Sequence, residues 1–179
     1  ADIGNRDGVH GSLGLYSGIQ KGIENSPINN NHLDLQEAFI VLPVGEAALK
    51  VGRQEVALGS QRLLGTRDGT NIRRNWEGVR FTTPVKEWTL EAFGLQLVEV
   101  EPEGSFNDKS IDDRQVASLY ATGELAYSSI DLYYFYSKFN NRRTIEGSAD
   151  QERHNIGARL FGEQGNWFWN WEAVLQDGN

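Results

Sequence analysis

The sequence predicts an all-β protein, an antiparallel up-and-down meander that forms part of a transmembrane β-barrel. Three observations predict this fold class. Apolar residues alternate with polar ones instead of recurring at helical spacing, Gly is common with 20 of 179 residues, and short connections alternate with long ones. No apolar run reaches the roughly 18 residues that a transmembrane helix needs, so helical spans are excluded.

The N-terminal half predicts five strands. Each is a mostly alternating apolar run, and Gly or Pro, which favour turns, follows soon after its end. The runs lie at Val9–Ile19, Leu33–Leu42, Ala48–Leu58, Gly78–Thr83 and Trp88–Val100. Short connections are predicted at Pro43–Ala47 and Pro84–Glu87, and a long one at Gly59–Glu77.

The C-terminal half predicts four further strands, at Gln115–Gly123, Ile130–Phe139, Arg153–Gly162 and Trp167–Gln176. Long connections are predicted at Glu101–Arg114 and Asn140–Glu152, and short ones at Glu124–Ser129 and Gly165–Asn166. Outer-membrane barrels carry short turns on the periplasmic side and long loops outside, so we expect the three long loops on the cell exterior. A soluble up-and-down barrel has the same alternation, and this alternative stays open.

The last hairpin has two chemically distinct faces. A two-residue Gly165-Asn166 loop fixes the register, which pairs Arg159 with Glu172 on a polar face. The other face contains no polar side chain, and we expect it to meet lipid in a membrane barrel. It consists of Ile156, Ala158, Leu160, Gly162, Trp169, Trp171, Ala173 and Leu175.

We expect residues 1–179 to form a single β-barrel domain that is an incomplete portion of a larger barrel. The last strand runs into Asp177-Gly178-Asn179 without a terminal aromatic residue. Eight or nine strands would also give a barrel filled by its own side chains instead of an open pore. The chain begins at Ala1 without a methionine, so we expect a removed leader or excision from a longer chain.

Composition narrows the possible functions. The formal charge is −8, which argues against a nucleic-acid partner, and without cysteine there is no thiolate catalysis or Cys-based zinc site. The three histidines are far apart, and no catalytic or nucleotide-binding motif is present. We therefore predict no enzyme activity, no cofactor and no metal. Asp108, Asp112 and Asp113 form an acidic loop that is either solvated or able to bind calcium.

The segment from Arg53 to Arg80 differs from the rest of this acidic chain. It contains six arginines and no lysine against three acidic residues, an excess of three positive charges. Arginine suits bidentate capture of carboxylates because its planar fork matches them and stays charged. The alternative is a set of intramolecular ion pairs that pin a long loop, and both can hold together. The predicted substrate-binding residues are Arg53, Glu55, Arg62, Asp68, Arg73, Arg74 and Arg80.

Two local expectations accompany this segment. Leu49, Val51 and Arg53 are spaced two residues apart, so all three would lie on the same face of one strand. That face would change from apolar to charged along the strand. Gly52 is the natural place for a break such as a bulge. Arg53 and Arg74 are expected at surface-like positions, where replacement by serine changes stability by only about 0.5 kcal/mol.

The segment resembles the signature of the alginate export family, outer-membrane β-barrels of Gram-negative bacteria. The specific matches are Val51–Glu55, Gly59–Gly65 and Asn71–Arg80, and weaker ones follow at Asp131–Tyr134, His154–Leu160 and Glu172–Gln176. The resemblance implies a monomeric pore whose arginine-rich constriction passes an anionic polyuronate outward. Family members are larger barrels, so it also implies that this chain is an N-terminal portion.

The leading hypothesis is an outer-membrane channel segment that passes an anionic polysaccharide such as alginate, or other small anions, through an arginine-lined lumen. Its partners would be the polymer and the lipid bilayer. One alternative is a soluble β-barrel that binds a small apolar ligand in its interior. Another is a carbohydrate-active β-protein, such as a polysaccharide lyase, with an Arg–Glu cleft.

Overall fold

The computed structural model describes residues 2–4, 8–22, 27, 29–144 and 147–179. These residues form ten strands, and none of them belongs to a helix that could span a bilayer. The strands are β1 (Asp2–Gly4), β2 (His10–Gly18), β3 (Asn31–Val44), β4 (Ala47–Gln54), β5 (Trp76–Val85), β6 (Trp88–Glu99), β7 (Lys109–Glu124), β8 (Ser129–Thr144), β9 (Gly147–Gln164) and β10 (Trp167–Gly178).

All ten strands belong to one sheet in chain order, β1 to β10. Neighbouring strands pair antiparallel, as seen for β1–β2, β2–β3, β7–β8, β8–β9 and β9–β10. In the part of the chain that the structure describes, β1 and β10 are not paired with each other, so the sheet is open. The predicted all-β antiparallel meander is confirmed.

The nine predicted strands correspond to β2 to β10. The three-residue strand β1 was not predicted, because a run this short has no measurable alternation. The long loop predicted at Asn140–Glu152 is wrong over the described residues, because β8 continues to Thr144 and β9 begins at Gly147; residues 145–146 lie outside the described ranges. A polar sequence suggested a loop there, but strand pairing resumes after a bulge and needs no apolar side chains.

The connections alternate in length from β3 to β8, as the sequence predicts, whereas only residues 145–146 separate β8 from β9. Short turns at residues 45–46, 86–87, 125–128 and 165–166 follow β3, β5, β7 and β9. Longer loops at residues 55–75 and 100–108 follow β4 and β6, and the second is shorter than the predicted Glu101–Arg114 because β7 begins at Lys109. In an antiparallel meander, the turns after odd strands leave one end of the sheet and the loops after even strands leave the other.

The register of the last hairpin is confirmed pair by pair. Arg159 lies opposite Glu172, Leu160 opposite Trp171 and Gly162 opposite Trp169. Gly165 has a φ of 61°, the left-handed conformation that a two-residue hairpin turn requires.

Packing divides the chain into two compact units. Unit 1 consists of Ala1–Pro43, Leu49–Val79 and Leu95–Asp112, and unit 2 of Val44–Ala48, Arg80–Gly94 and Asp113–Asn179. The core of unit 1 combines loop and strand residues: Val56, Leu58, Leu64, Ile72, Trp76, Leu95, Leu97 and Val98.

In unit 2 the apolar face of the sheet is exposed and the polar face is largely buried. In β8 the side chain of Leu132 is 44% exposed, whereas its neighbour Asp131 is 2% exposed. In β9 Ile156 is 64% exposed beside the buried Asn155. A sheet that turns apolar side chains outward and polar ones inward has the polarity of a membrane barrel, the reverse of a water-soluble one.

Candidate functional site

The loop at residues 55–75, which holds most of the predicted site, is packed within unit 1. Val56, Leu64 and Ile72 are at most 3% exposed. Ile72 lies against β2, because a Cβ atom at Gly18 would come within 2.8 Å of its Cδ1 atom. The Asn75 side chain donates to the backbone oxygen of Gln36 in β3 at 2.9 Å. The loop therefore lies over β2 and β3 instead of extending away from the sheet.

The loop at residues 100–108 also reaches β3. Ser105 forms a parallel bridge with Leu33, and the Phe106 N–H donates to the Leu33 oxygen at 2.9 Å. The N–H groups of Asn107 and Asp108 both donate to Asp34 Oδ2, at 2.8 and 3.0 Å. We call this attachment the β3 latch.

Arg53 joins the β3 latch to two further strands. Its Nε donates to Glu77 Oε1 at 2.8 Å and its Nη1 to Asp34 Oδ1 at 3.4 Å, while its Nη2 donates to the Asp108 backbone oxygen at 2.9 Å. The side chain is only 6% exposed. The expectation of a surface-like position is therefore wrong for Arg53, because four acceptors, these three and the Leu35 backbone oxygen, surround its guanidinium. Arg53 matches the alternative in which arginine pairs pin a loop.

The break expected beside Arg53 is present. Gly52 has a φ of 123°, and a Cβ atom there would come within 2.3 Å of the Ala38 oxygen. Arg53 and Gln54, which follow it, are both buried although they are adjacent. A positive φ at Gly52 is consistent with the irregularity expected there.

The Asp108 carboxylate is part of the same polar cluster. It accepts hydrogen bonds from the Tyr16 hydroxyl at 2.6 Å, from the Asn31 side chain and from the Glu101 N–H. Burial raises the pKa of Asp108 above its usual value, and the nearby Asp34 carboxylate adds to the increase, against the effect of these hydrogen bonds.

The three carboxylates of the acidic loop have separate partners. Asp112 accepts from Gln96 at 2.8 Å and Asp113 from Asn140 at 3.4 Å, whereas Asp108 is bonded to Tyr16. Over the described residues, no three His, Asp or Glu side chains are grouped as metal ligands.

Arg73 differs from Arg53 in being half exposed. Its Nη1 lies 3.2 Å from Glu55 Oε2 and its Nη2 lies 3.1 Å from Asp68 Oδ1, while 52% of the side chain is open to solvent. Glu55 is held in turn by the Gln36 amide at 2.6 Å. Two predicted acidic partners therefore orient one predicted arginine. This guanidinium is both fixed and accessible.

The remaining predicted arginines are distributed over both units. Arg62 is exposed and Arg74 is half-buried in the same loop as Arg73. Arg80 belongs to unit 2, where its Nη2 pairs with Glu91 Oε2 at 2.5 Å. Asp34 and Asp108, which organise Arg53, were absent from the predicted site, because pairing across 19 and 55 positions of sequence leaves no local spacing signal.

The comparison with known proteins assigns the family. A family model described as alginate export matches residues 12–179. The chain belongs to the alginate export family. The match extends from β2 through β10, so the resemblance carried by Val51–Arg80 extends over nearly the whole chain. No curated protein and no solved structure matches it.

Family membership accounts for the inverted polarity of unit 2. Alginate export proteins are outer-membrane β-barrels, in which apolar side chains face lipid. The family is one of transport and not of catalysis. Its members move a polymer that carries one carboxylate per sugar, and a fixed, accessible guanidinium such as that of Arg73 is chemically suited to such a solute.

Proposed function

We propose that this member of the alginate export family is part of an outer-membrane channel that passes an anionic polysaccharide, such as alginate, past exposed arginines. In this proposal residues 1–179 form one portion of a larger, monomeric barrel. The main support for this proposal is that the Arg73 side chain is half exposed and is paired with both Glu55 and Asp68.

The pairing of Arg73 suits conduction better than tight binding. Each of its acidic partners offsets part of the positive charge, so a passing carboxylate meets a weakened attraction. A polymer moves through a channel only when each contact is favourable enough to form and weak enough to break. Arg62 and Arg74 in the same loop would provide further contacts of this kind.

Arg53 has a different part in the proposal. Its guanidinium is occupied by Asp34, Glu77 and the Asp108 oxygen, so it supports the loops that present Arg73. We therefore propose Arg73, Arg62 and Arg74 as polymer-contacting residues, with Glu55 and Asp68 as orienting partners. Arg80 would act in unit 2, where Glu91 orients it.

The test is the ion selectivity of the protein reconstituted in planar bilayers. Arg73→Ser should reduce the preference for anions and the block by added polyuronate. Lys86→Asn, in the turn after β5, serves as the control because it also removes one positive charge. Raising the salt should weaken the wild-type preference, because charges along a watery path are screened over roughly 10 Å at 0.1 M. Unchanged selectivity and block in Arg73→Ser would refute the proposal.

A further inference from the structure

A cleft in unit 2, at the short-turn end of the sheet, combines aromatic rings with an arginine. Its volume is about 630 Å³, within the range of ligand sites. None of its residues belongs to the arginine segment at residues 53–80. Its lining includes Tyr127, Arg159, Phe161, Glu163, Phe168 and Asn170.

The Arg159 guanidinium in this cleft is oriented by three neighbours. Its Nε donates to Asn170 Oδ1 at 2.8 Å, and its Nη1 donates to Asp131 Oδ2 at 3.1 Å. The guanidinium carbon lies 3.9 Å from the ring centroid of Phe161, a cation–π contact. Among the residues that the structure describes, no acceptor bonds Arg159 Nη2. A fixed guanidinium thus keeps donor capacity for a ligand carboxylate.

Two aromatic rings of the cleft are exposed, and for Phe168 the membrane does not explain the exposure. Phe168 is 84% exposed and Tyr127 is 68% exposed. Phe168 lies opposite Glu163 and shares the polar face of Arg159, because side chains alternate along both strands. The adjacent Trp167 is 79% exposed on the opposite, apolar face, where an interfacial aromatic residue is expected. Phe168 therefore lies on the face that is turned away from lipid.

This combination is the chemistry that recognises an acidic sugar. The electron-rich face of an aromatic ring packs against the C–H face of a pyranose, a guanidinium binds a carboxylate, and Glu163 and Asn170 are able to accept hydrogen bonds from hydroxyl groups. A simple anion would need no aromatic surface, and an apolar ligand would need no arginine. The cleft matches a sugar that carries a carboxylate.

We propose that this cleft binds a uronate residue of the polysaccharide at the short-turn end of the sheet, with Phe168 and Tyr127 as stacking surfaces and Arg159 as the carboxylate contact. This inference rests on the proposed function, since it supplies a second contact for the same polymer. The Asp131 pair offsets the charge of Arg159, so binding is weak enough for the polymer to be released again.

The test compares two adjacent aromatic residues on opposite faces. Reconstituted channels are blocked with a short oligouronate, or with a neutral oligosaccharide of equal length, added from the short-turn side. Phe168→Ala should weaken block by both sugars about two- to tenfold, the range expected for loss of one aromatic contact. Arg159→Gln should weaken block by the oligouronate alone. Trp167→Ala should leave both unchanged.

The outcomes separate this inference from the proposed function. If the wild-type channel shows no anion preference and no block by oligouronate, the proposed function fails. Two results would overturn the uronate site but not the proposed channel function. One is that the wild type and Phe168→Ala are blocked equally well; the other is that Trp167→Ala weakens block as much as Phe168→Ala. Selectivity in simple salt should be unaltered in Phe168→Ala, because no charge is removed.

Discussion

Replacing Arg53 with serine should release the β3 latch, whereas the same change at Arg73 should leave it closed. Both residues are arginines of one segment, and both are paired with two carboxylates. They differ in burial, since the Arg53 side chain is 6% exposed and that of Arg73 is 52% exposed. Arg53 should therefore determine loop attachment, and Arg73 should determine selectivity.

The free-energy cost of replacing Arg53 follows from the groups that lose their partner when its side chain is removed. Asp34, with 2% of its side chain exposed, would lose its cationic partner and keep only N–H donors, while the Asp108 oxygen would lose the Nη2 donor. Removing one partner of a buried pair costs about 3–5 kcal/mol. Glu77 is 35% exposed and can turn to water, so the lower end, about 3 kcal/mol, applies. Each exposed pair of Arg73 contributes at most about 1 kcal/mol.

Amide hydrogen exchange in lipid vesicles measures this difference locally. A loss of about 3 kcal/mol should accelerate exchange across residues 100–108 on the order of 100-fold in Arg53→Ser. Arg73→Ser should leave exchange there nearly unchanged, because its partners Glu55 and Asp68 lie outside this loop. Peptides from β9 and β10 report whether the whole protein is destabilised. Equal exchange of the loop in the two variants would refute the assignment of Arg53 to the latch.

Three further outcomes are expected. Ala173→Arg should lower the free energy of unfolding in vesicles by up to about 2–4 kcal/mol if this position faces the bilayer midplane, whereas Val174→Arg, on the opposite face, should cost much less. Cysteines at Gly69 and Glu103 should be labelled together on intact cells and one at Asn166 should not; labelling of all three would refute the sidedness. Burial raises the folded-state pKa of Asp108 above its unfolded value, so protonation favours the docked loop. Amides of residues 107 and 108 should therefore be most protected, after correction for intrinsic rates, at acidic pH and less so as pH rises through that raised pKa.

The sequence was sufficient to predict the strands, because alternation and turn residues are local signals. The register of β9 and β10 followed from the Gly165-Asn166 turn alone. The prediction of a loop at Asn140–Glu152 was wrong for the same reason: it relied on the local polar sequence, whereas the paired strands continue through it. Alternation could not decide which face is the exposed one; this became visible only in the exposure of residues such as Leu175, compared with the more sheltered Glu172.

The candidate site was predictable in composition but not in connectivity. The arginine excess identified the segment, and two acidic residues predicted with it, Glu55 and Asp68, both pair with Arg73. The partners of Arg53 could not be found in this way. Asp34 and the Asp108 oxygen come from other loops and strands, and only the folded chain brings them together.

The β3 latch also affects the order in which contacts form during folding. It joins Asp108 to Asp34 across 74 positions of sequence, whereas the turn between β7 and β8 has only four residues. The entropic cost of closing a chain segment grows with the logarithm of its length, so before β3 to β7 are paired the latch costs about 2–3 kcal/mol more than such a turn. Local hairpins shorten the effective distance and remove most of that difference. The latch, and with it the fixed position of Arg53, is therefore a late product of folding that depends on completed hairpins.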